Sequence, residues 1–288
     1  MDKRTVSVLQ LLLTGVLWSI GGLFIKLTDM HPMALSASRS LLASVVILSY
    51  LKFKPRFTFD KPQIMGALCY VGTVSLFVSA TKATTAANAI LLQYGAPVYT
   101  AFLAFFILRE KIKWYDVAAI AGIAVGMLVF FGDSFSGGRV AGNILAVASG
   151  VAFAGQAVCL RMHKKGSHVE TILLGNIIAV MAGLPFVFSG PPALSQLAPI
   201  AVLGVFQLGI PYVLYSLASK NVTALDLILI PMIEPVLNPI WVFIGAGEKP
   251  GLSTVAGGVV IIATVVFKSV CALKHSKQNE RDASHEAV

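Results

Sequence analysis

The sequence predicts an all-α membrane protein of ten transmembrane helices, arranged as two inverted repeats of five helices each. Three observations predict this fold: the composition, ten apolar segments of membrane-spanning length, and an internal self-match. Of 288 residues, 57% are hydrophobic and only 12% are charged, and the mean hydropathy is +0.83. Because soluble domains carry roughly 25% charged residues, most of the outer surface of this chain must face lipid.

Ten apolar segments are long enough to cross a bilayer, which takes about 20 apolar residues per helix. Lys3 and Arg4 precede the first segment, but no small-x-small cleavage site closes it, so we interpret it as a membrane helix and not as a signal peptide. The loops between segments are too short to hold a soluble domain, and the polar segment 274–288 is predicted to be a disordered cytoplasmic tail. The ten predicted spans are residues 5–27, 32–51, 62–81, 84–108, 114–132, 140–161, 168–189, 198–219, 223–246 and 252–273.

The basic residues lie mostly on one side of these spans. Of the 22 Lys and Arg residues, 17 fall in segments on the side of the N-terminus, four fall on the other side, and Arg39 lies inside a span. The positive-inside rule therefore predicts that both termini are cytoplasmic, and we expect the plasma membrane, which is the inner membrane in a bacterium. This distribution accounts for the net charge of +9 by membrane topology, so we expect no nucleic-acid partner.

The chain matches itself along two long segments. Residues 82–111 align without gaps on residues 220–249 at a constant offset of 138. We therefore divide the chain into a first repeat, 1–135, and a second repeat, 136–273. Because five spans is an odd number, the second repeat crosses the bilayer in the opposite sense, which predicts a pseudo-two-fold axis in the membrane plane and a solute site near the midplane. The paired residues include Lys82 with Lys220, Pro97 with Pro235 and Glu110 with Glu248 and, at an offset of 135, Gly15 with Gly150 and Lys26 with Arg161.

The ends of both repeats resemble a known family. Residues 95–130 and 233–267 each contain a proline in an apolar helix, a glutamate-basic pair at its end, and a final glycine-containing helix, and this pattern resembles the end of an EamA domain. Two such domains in tandem are similar to the ten-helix drug/metabolite transporter superfamily, although Thr264 stands where the first repeat has Gly126. The resemblance implies that helices 1–4 and 6–9 surround a central cavity and that helices 5 and 10 pack outside them.

The fifth span carries small residues at every fourth position, namely Ala118, Gly122 and Gly126. This spacing lets two membrane helices approach closely. The stripe predicts tight packing within the chain in preference to contact between two copies.

Glu234 is the first candidate for solute binding, because an ionisable side chain inside a span needs a partner, a wet cavity or a function. It lies eleven residues into the ninth span, about 17 Å along the helix and so near the midplane. Asn238 and Trp241 follow on the same helical face. A carboxylate, an amide and an indole suit an amine or ammonium group with an apolar body. A purely structural carboxylate, held by a neighbouring helix, is the alternative.

Four prolines within spans are candidate hinges: Pro97, Pro211, Pro231 and Pro235. A proline has no N–H, so the carbonyl four residues earlier loses its helical partner. In a bilayer such a carbonyl is tolerable only where it faces protein or water. These positions therefore predict either flexible points that contribute to solute binding or kinks that serve packing alone.

Arg39 lies eight residues into the second span. It can hold a substrate carboxylate, pair with Glu234 across the cavity, or serve structure alone. The resemblance favours structure, since an arginine early in this helix is usual in EamA domains. Further candidates for the cavity wall are polar or aromatic side chains set deep in other spans: Trp18, Gln93, Tyr94, Gln156 and Tyr215, together with Gln207 and Tyr212.

Several motifs of other protein classes do not occur in the sequence. There is no GxxxxGK[ST] loop for ATP and no HExxH or GxSxG sequence for hydrolysis. The cysteines Cys69, Cys159 and Cys271 are too far apart in sequence for a thiolate metal site. We therefore expect no catalytic residue, no cofactor and no metal.

These observations favour a secondary transporter and not an enzyme. The leading hypothesis is export of amino acids or related compounds by alternating access at a midplane cavity, with the direction taken from the resemblance alone. The alternatives are an uptake carrier for a quaternary amine or other organic cation, and a membrane scaffold without transport. Expected partners are a small-molecule substrate, the lipid bilayer and, in one version, protons carried by Glu234, with the chain acting as a monomer or homodimer.

Overall fold

The computed structural model describes residues 2–84, 86–131, 140–163, 168–189, 192–237, 241 and 252–286. Within these ranges the chain forms helices and connecting turns and contains no β-strand. We number the membrane helices α1 to α10 in chain order. Their described parts are α1, Lys3–Trp18 and Gly21–Leu27; α2, Pro32–Tyr50; α3, Lys61–Ala83; α4, Ala86–Gln93, Ala96–Leu103 and a π-helical turn Ala104–Leu108; α5, Trp114–Phe131; α6, Val140–Met162; α7, His168–Ser189; α8, Leu197–Val202, a π-helical segment Leu203–Gly209 and Ile210–Ala218; α9, Ala224–Leu229 and a 3-10 segment Ile230–Ile233; and α10, Leu252–Glu286.

These helices confirm the predicted fold class. Eight of them are long and apolar enough to cross a membrane, α5 is a shorter apolar helix, and α9 is described only in its first part. The tail differs from the prediction, because α10 continues to Glu286 where the sequence predicts disorder from residue 274. Extending an existing helix costs little, and the Lys, Gln, Glu, Arg and Ala residues of this segment are good helix formers.

The packing of the helices has the two-fold pattern that the repeat predicts. In the first repeat α3 packs along α6 and α7, and the equivalent helix α8 packs along α1 and α2. Likewise α4 packs on α6, and α9 packs on α1. The pairs α2–α7 and α5–α10 join helices that are themselves repeat equivalents. These main contacts therefore have counterparts in the two halves of the chain.

Two glycines show the repeat at the level of single atoms. A Cβ atom on Gly15 in α1 would lie 2.6 Å from the carbonyl oxygen of Pro231 in α9. A Cβ atom on Gly150 in α6 would lie 2.7 Å from the carbonyl oxygen of Gln93 in α4. Gln93 and Pro231 are 138 residues apart, and the two glycines are 135 apart. The same close approach of a glycine to a carbonyl therefore occurs once in each half.

Buried ion pairs join the helix ends at the side of the bilayer where α1 begins, which we call the N-terminal face; the opposite side is the distal face. Arg4 Nη2 lies 2.9 Å from Asp226 Oδ2, and Lys268 Nζ lies 2.8 Å from Asp226 Oδ1 and also contacts Asp116. Two positive and two negative groups thus join α1, α5, α9 and α10. The opposite charges compensate one another in a place where an unpaired charge is costly.

Two of the three small residues of α5, Gly122 and Gly126, face α10, as their spacing predicts, whereas Ala118 is exposed. A Cβ atom on Gly122 would lie 2.6 Å from Thr264 Oγ1, and one on Gly126 would lie 2.7 Å from Ile261 Cγ1. Side chains at these positions would force the two helices apart. The stripe therefore serves packing inside the chain.

We expect Gly126→Leu to lower the free energy of unfolding by about 1–3 kcal/mol, because the added side chain overpacks the α5–α10 contact. The measurement is thermal or denaturant unfolding of the protein in detergent. Ala124→Leu is the matched control, since Ala124 is exposed on the outer side of the same helix. Equal stability of the two variants would contradict the close packing of α5 on α10.

Candidate functional site

A cavity lies between the two halves of the chain. It is bounded by side chains from α1, α2, α3, α4, α6, α8 and α9. The lining residues are Trp18, Arg39, Thr73, Val74, Phe77, Gln93, Tyr94, Phe153, Gln207, Leu208, Tyr212, Ile228, Pro231 and Glu234.

Five of the predicted binding residues line this cavity: Trp18, Arg39, Gln93, Tyr94 and Glu234. They come from α1, α2, α4 and α9, which are distant in sequence. The structure thus brings together the carboxylate, the guanidinium and two of the aromatic rings that the sequence singles out. The cavity also contains Gln207 and Tyr212, the further candidates from α8.

Three of the other predicted binding residues, Gln156, Tyr215 and Trp241, are not part of the cavity wall. Gln156 and Tyr215 are fully buried. Trp241 donates a hydrogen bond from Nε1 to Ser19 Oγ at 2.7 Å, at the turn that interrupts α1. The remaining predicted residue, Asn238, lies outside the described residues.

Glu234 has a partner on the repeat-equivalent helix. Its Oε2 accepts a hydrogen bond from the hydroxyl group of Tyr94 at 3.0 Å. Glu234 directly follows the 3-10 segment Ile230–Ile233 and directly precedes Pro235. The carboxylate therefore has both a structural partner, Tyr94, and a place in the cavity wall.

Arg39 is held by neutral groups. Its side chain is 1% exposed, and Nη2 donates to the carbonyl of Val74 at 2.8 Å while Nη1 donates to Oε1 of Gln207 at 3.2 Å. Its Nε atom has no hydrogen-bond partner within the described part of the chain. Among the described residues Arg39 forms no ion pair, with Glu234 or with any other carboxylate. The cavity wall therefore contains one positive and one negative group that do not neutralise each other directly.

Three aromatic rings that contact one another, Trp18, Phe153 and Tyr212, form part of the cavity wall. The ring of Trp18 lies 5.6 Å from Phe153 and 5.2 Å from Tyr212, measured between centroids. The indole Nε1 of Trp18 has no hydrogen-bond partner among the described residues. Trp18 and Phe153 are 135 residues apart, as Gly15 and Gly150 are, so these two touching rings occupy equivalent positions of the two repeats. Such rings can contact apolar or cationic parts of a solute.

A short chain of hydrogen bonds fixes Gln93. Its Nε2 donates to Ser149 Oγ at 2.8 Å, and the Ser149 hydroxyl donates to the carbonyl of Thr73 at 2.9 Å. These bonds connect α4, α6 and α3 on one side of the cavity. Within the described residues no group of three or more His, Cys, Asp or Glu side chains is placed to hold a metal ion.

All four candidate hinge prolines lie at interruptions of a regular α-helix. Pro97 follows the break between Gln93 and Ala96, and Pro211 follows the π-helical segment Leu203–Gly209. Pro231 lies in the 3-10 segment Ile230–Ile233, and Pro235 comes two residues after it. These interruptions carry Gln93, Gln207 and Glu234 into the cavity wall, and π-helical turns within α-helices are often found at functional sites.

Comparison with known proteins now identifies the family. The model of the EamA-like transporter family matches residues 5–132 and again residues 140–270, which together are nearly the whole chain. The chain belongs to the EamA-like transporter family. The two matches fall in the two predicted repeats, and the fold and the central cavity agree with a transporter of small molecules.

Three relatives show how widely this EamA-like fold is shared. An uncharacterized transporter of Archaeoglobus fulgidus is 24% identical in an alignment 276 residues long that covers 89% of this chain and 95% of that protein. The S-adenosylmethionine uptake transporter of Rickettsia prowazekii is 25% identical over 272 residues, with 90% and 88% covered. A solved crystal structure, 20% identical in sequence, superimposes with a TM-score of 0.79 over 94% of this chain and 99% of its own and therefore shares the fold.

Sequence reasoning missed the apolar members of the cavity wall in this EamA-like transporter. Phe77, Phe153, Leu208 and Ile228 carry no polar atom that separates them from packing residues. The repeat contains a signal for one of them, because Phe153 is the equivalent of the predicted residue Trp18.

We expect Gln207→Leu to lower the free energy of unfolding by about 1–3 kcal/mol, because Arg39 Nη1 loses its acceptor while it stays buried. Unfolding in detergent measures the change. Phe206→Leu is the control, since Phe206 is the neighbouring residue and is exposed on the outer side of α8. A Gln207→Leu variant as stable as this control would show that Gln207 does not hold Arg39.

Proposed function

We propose that this EamA-like protein is a secondary transporter of amino acids or related zwitterionic metabolites, which bind in the cavity between Arg39 and Glu234. One observation carries the proposal: a guanidinium and a carboxylate line the same buried cavity without pairing with each other. A zwitterion offers one group of opposite charge to each of them. Both charges of the solute are then compensated in a place where water is scarce.

The hydrogen-bonding groups of the cavity fit this kind of solute. Arg39 and Trp18 line the cavity, and their Nε and Nε1 atoms are buried donors without a partner among the described residues. A carboxylate that reaches these atoms when it binds can accept from both. Glu234 accepts from Tyr94 through Oε2, which leaves Oε1 to accept from an ammonium group. Hydrogen bonds between charged partners are about twice as strong as neutral ones. The rings of Phe77 and Tyr212 then meet the side chain of the solute.

The second candidate is a carrier for an organic cation. Glu234 shares the cavity with the rings of Trp18, Tyr94 and Tyr212, and such rings attract a cation that is out of water. The Rickettsia prowazekii relative is named for S-adenosylmethionine, a compound that is both an amino acid and a sulfonium cation. A cation without a carboxylate makes no use of Arg39, so the dependence of transport on Arg39 separates the two candidates.

We further propose that the N-terminal face is cytoplasmic and that net transport is outward. The 17 basic residues on that side support the orientation. The outward direction follows the family resemblance of the sequence, whereas the Rickettsia prowazekii relative is named for uptake. Vesicles of both orientations, with and without a pH gradient, therefore test direction and proton coupling through Glu234.

We expect purified protein in liposomes to move radiolabelled amino acids down their gradient and Glu234→Gln to reduce the initial rate at least about tenfold, which corresponds to about 1.4 kcal/mol. The physical reason is that the neutral amide cannot compensate the ammonium charge. Arg39→Gln should reduce transport of amino acids equally but spare a simple quaternary amine if one is carried. Glu170→Gln is the matched control, because Glu170 lies outside the cavity near the N-terminal end of α7.

Folding is checked by size-exclusion chromatography and thermal unfolding of each variant. Absence of transport and of any ligand-induced stabilisation across a broad panel of amino acids and amines, with folded protein, would favour the scaffold. Loss of folding in Glu234→Gln would assign this carboxylate a structural role only.

A further inference from the structure

Three polar side chains lie fully buried just outside the cavity without hydrogen-bond partners. Gln156 in α6 and Tyr215 in α8 are 0% exposed, and Thr100 in α4 is also fully buried. Both amide atoms of Gln156, the hydroxyl of Tyr215 and the hydroxyl of Thr100 have no partner among the described residues. Buried polar groups are nearly always hydrogen-bonded, because leaving them unpaired is costly, so this cluster requires an explanation.

The three side chains lie at one depth, on the N-terminal side of the cavity. The helices α4, α6 and α8 all run from the distal face towards the N-terminal face. The Gln93–Ser149 hydrogen bond joins α4 and α6 at the cavity, and Thr100 and Gln156 each lie seven residues further along the chain, towards the N-terminal face. Tyr215 packs on Phe153 at 6.1 Å between ring centroids, and Gln156 follows Phe153 by about one helical turn. We call Thr100, Gln156 and Tyr215 the inner polar layer.

The repeat relates this layer to the distal half of the cavity. The offset of 138 that pairs Lys82 with Lys220 continues without a gap to Phe77 and Tyr215. Phe77 lines the cavity and lies in the last third of α3, nearer the distal face, whereas Tyr215 lies near the N-terminal face. If the two halves exchange conformations, Tyr215 therefore takes the environment that Phe77 has in this structure, which is the cavity wall.

An ion pair joins the ends of α4 and α6 between the inner polar layer and the N-terminal face. Arg161 Nη2 at the end of α6 lies 3.2 Å from Glu110 Oε1 at the end of α4. Glu110 Oε2 also accepts from the backbone N–H of Ala224 at 3.1 Å, and Arg161 Nη1 donates to the carbonyl of Ser219 at 3.3 Å. These contacts tie together the ends of α4, α6, α8 and α9 on the N-terminal face.

We propose that the inner polar layer is a second solute-contacting site, which is exposed to water at the N-terminal face when the Glu110–Arg161 ion pair opens. In that state Gln156, Tyr215 and Thr100 offer hydrogen bonds to the polar groups of the solute as it enters the Arg39–Glu234 cavity. The identity of the solute rests on the proposed function, an amino acid or related zwitterion. The exposure of the layer rests on the unpartnered groups, the repeat and the ion pair.

The test measures access of a membrane-impermeant methanethiosulfonate reagent to single cysteines. The parent protein has Cys69, Cys159 and Cys271 replaced by alanine, and Tyr215→Cys or its repeat equivalent Phe77→Cys is then introduced. We expect Tyr215→Cys to be labelled from the N-terminal face only. Adding Glu110→Gln should raise this labelling rate several-fold. It should also lower the labelling of Phe77→Cys from the distal face, because the same conformational change exposes Tyr215 and buries Phe77.

Two further variants control the experiment. Gln156→Cys should behave as Tyr215→Cys does and replaces it if the tyrosine variant does not fold. Ala154→Cys should stay unlabelled, because Ala154 is fully buried and lies about 200° around α6 from Gln156. The proposal is overturned if Tyr215→Cys and Gln156→Cys resist labelling in both backgrounds while Phe77→Cys is labelled.

The labelling needs no solute, so it separates this proposal from the proposed function. If the cysteines are labelled as expected but no amino acid is transported, the inner polar layer is supported and the proposed solute is rejected. If amino acids are carried, they should slow the labelling of Tyr215→Cys, and transport with no such protection would remove the layer from the solute path.

Discussion

The contact on which the structure depends is that of a backbone carbonyl, four residues before a proline, with a glycine of the neighbouring helix. Pro97 cannot donate to the carbonyl of Gln93, and Pro235 cannot donate to that of Pro231. A bilayer leaves no water for such carbonyls, so each must face protein or a wet cavity. They face Gly150 and Gly15, where any side chain would collide with the oxygen, and the carbonyl of Pro231 also accepts from the backbone N–H of Glu234 in the 3-10 segment. This pair of contacts docks α4 on α6 and α9 on α1.

The symmetric frame holds an asymmetric set of charges. Trp18 and Phe153 are equivalent positions of the two repeats, and both rings line the cavity. Arg39, in contrast, has Asn176 as its equivalent at an offset of 137, and Asn176 is bound to Tyr70 at 2.8 Å, away from the cavity wall. Under the proposed function the frame lets the two halves exchange roles, whereas the charges fix a single orientation of the solute. In that proposal transport and recognition depend on different residues of the same helices.

The spans and the repeat could be predicted from the sequence because hydropathy and the order of residues carry them directly. The depth of each candidate along its helix could also be predicted, but the side it presents could not. Gln156 lies deep in α6 as expected, yet one turn beyond Phe153 it is outside the cavity. The sequence predicts Trp241 in the cavity on the face of Glu234, whereas its indole binds Ser19 at the turn that interrupts α1. Such irregularities depend on helices that are distant in sequence.

A carrier needs two states whose free energies differ by only a few kcal/mol, and the N-terminal face contains opposing contributions to that difference. Closing the face forms the Glu110–Arg161 pair, and a partly exposed pair of this kind contributes about 0.2–1 kcal/mol. The same closure removes Gln156, Tyr215 and Thr100 from any hydrogen-bond partner, and each unpaired buried group costs about 1–3 kcal/mol. In the proposed closed state the ion pair alone therefore does not offset these costs. The buried four-charge cluster around Asp226 joins the ends of α1, α5, α9 and α10 at the same face, and in this proposal its contacts belong to the same equilibrium.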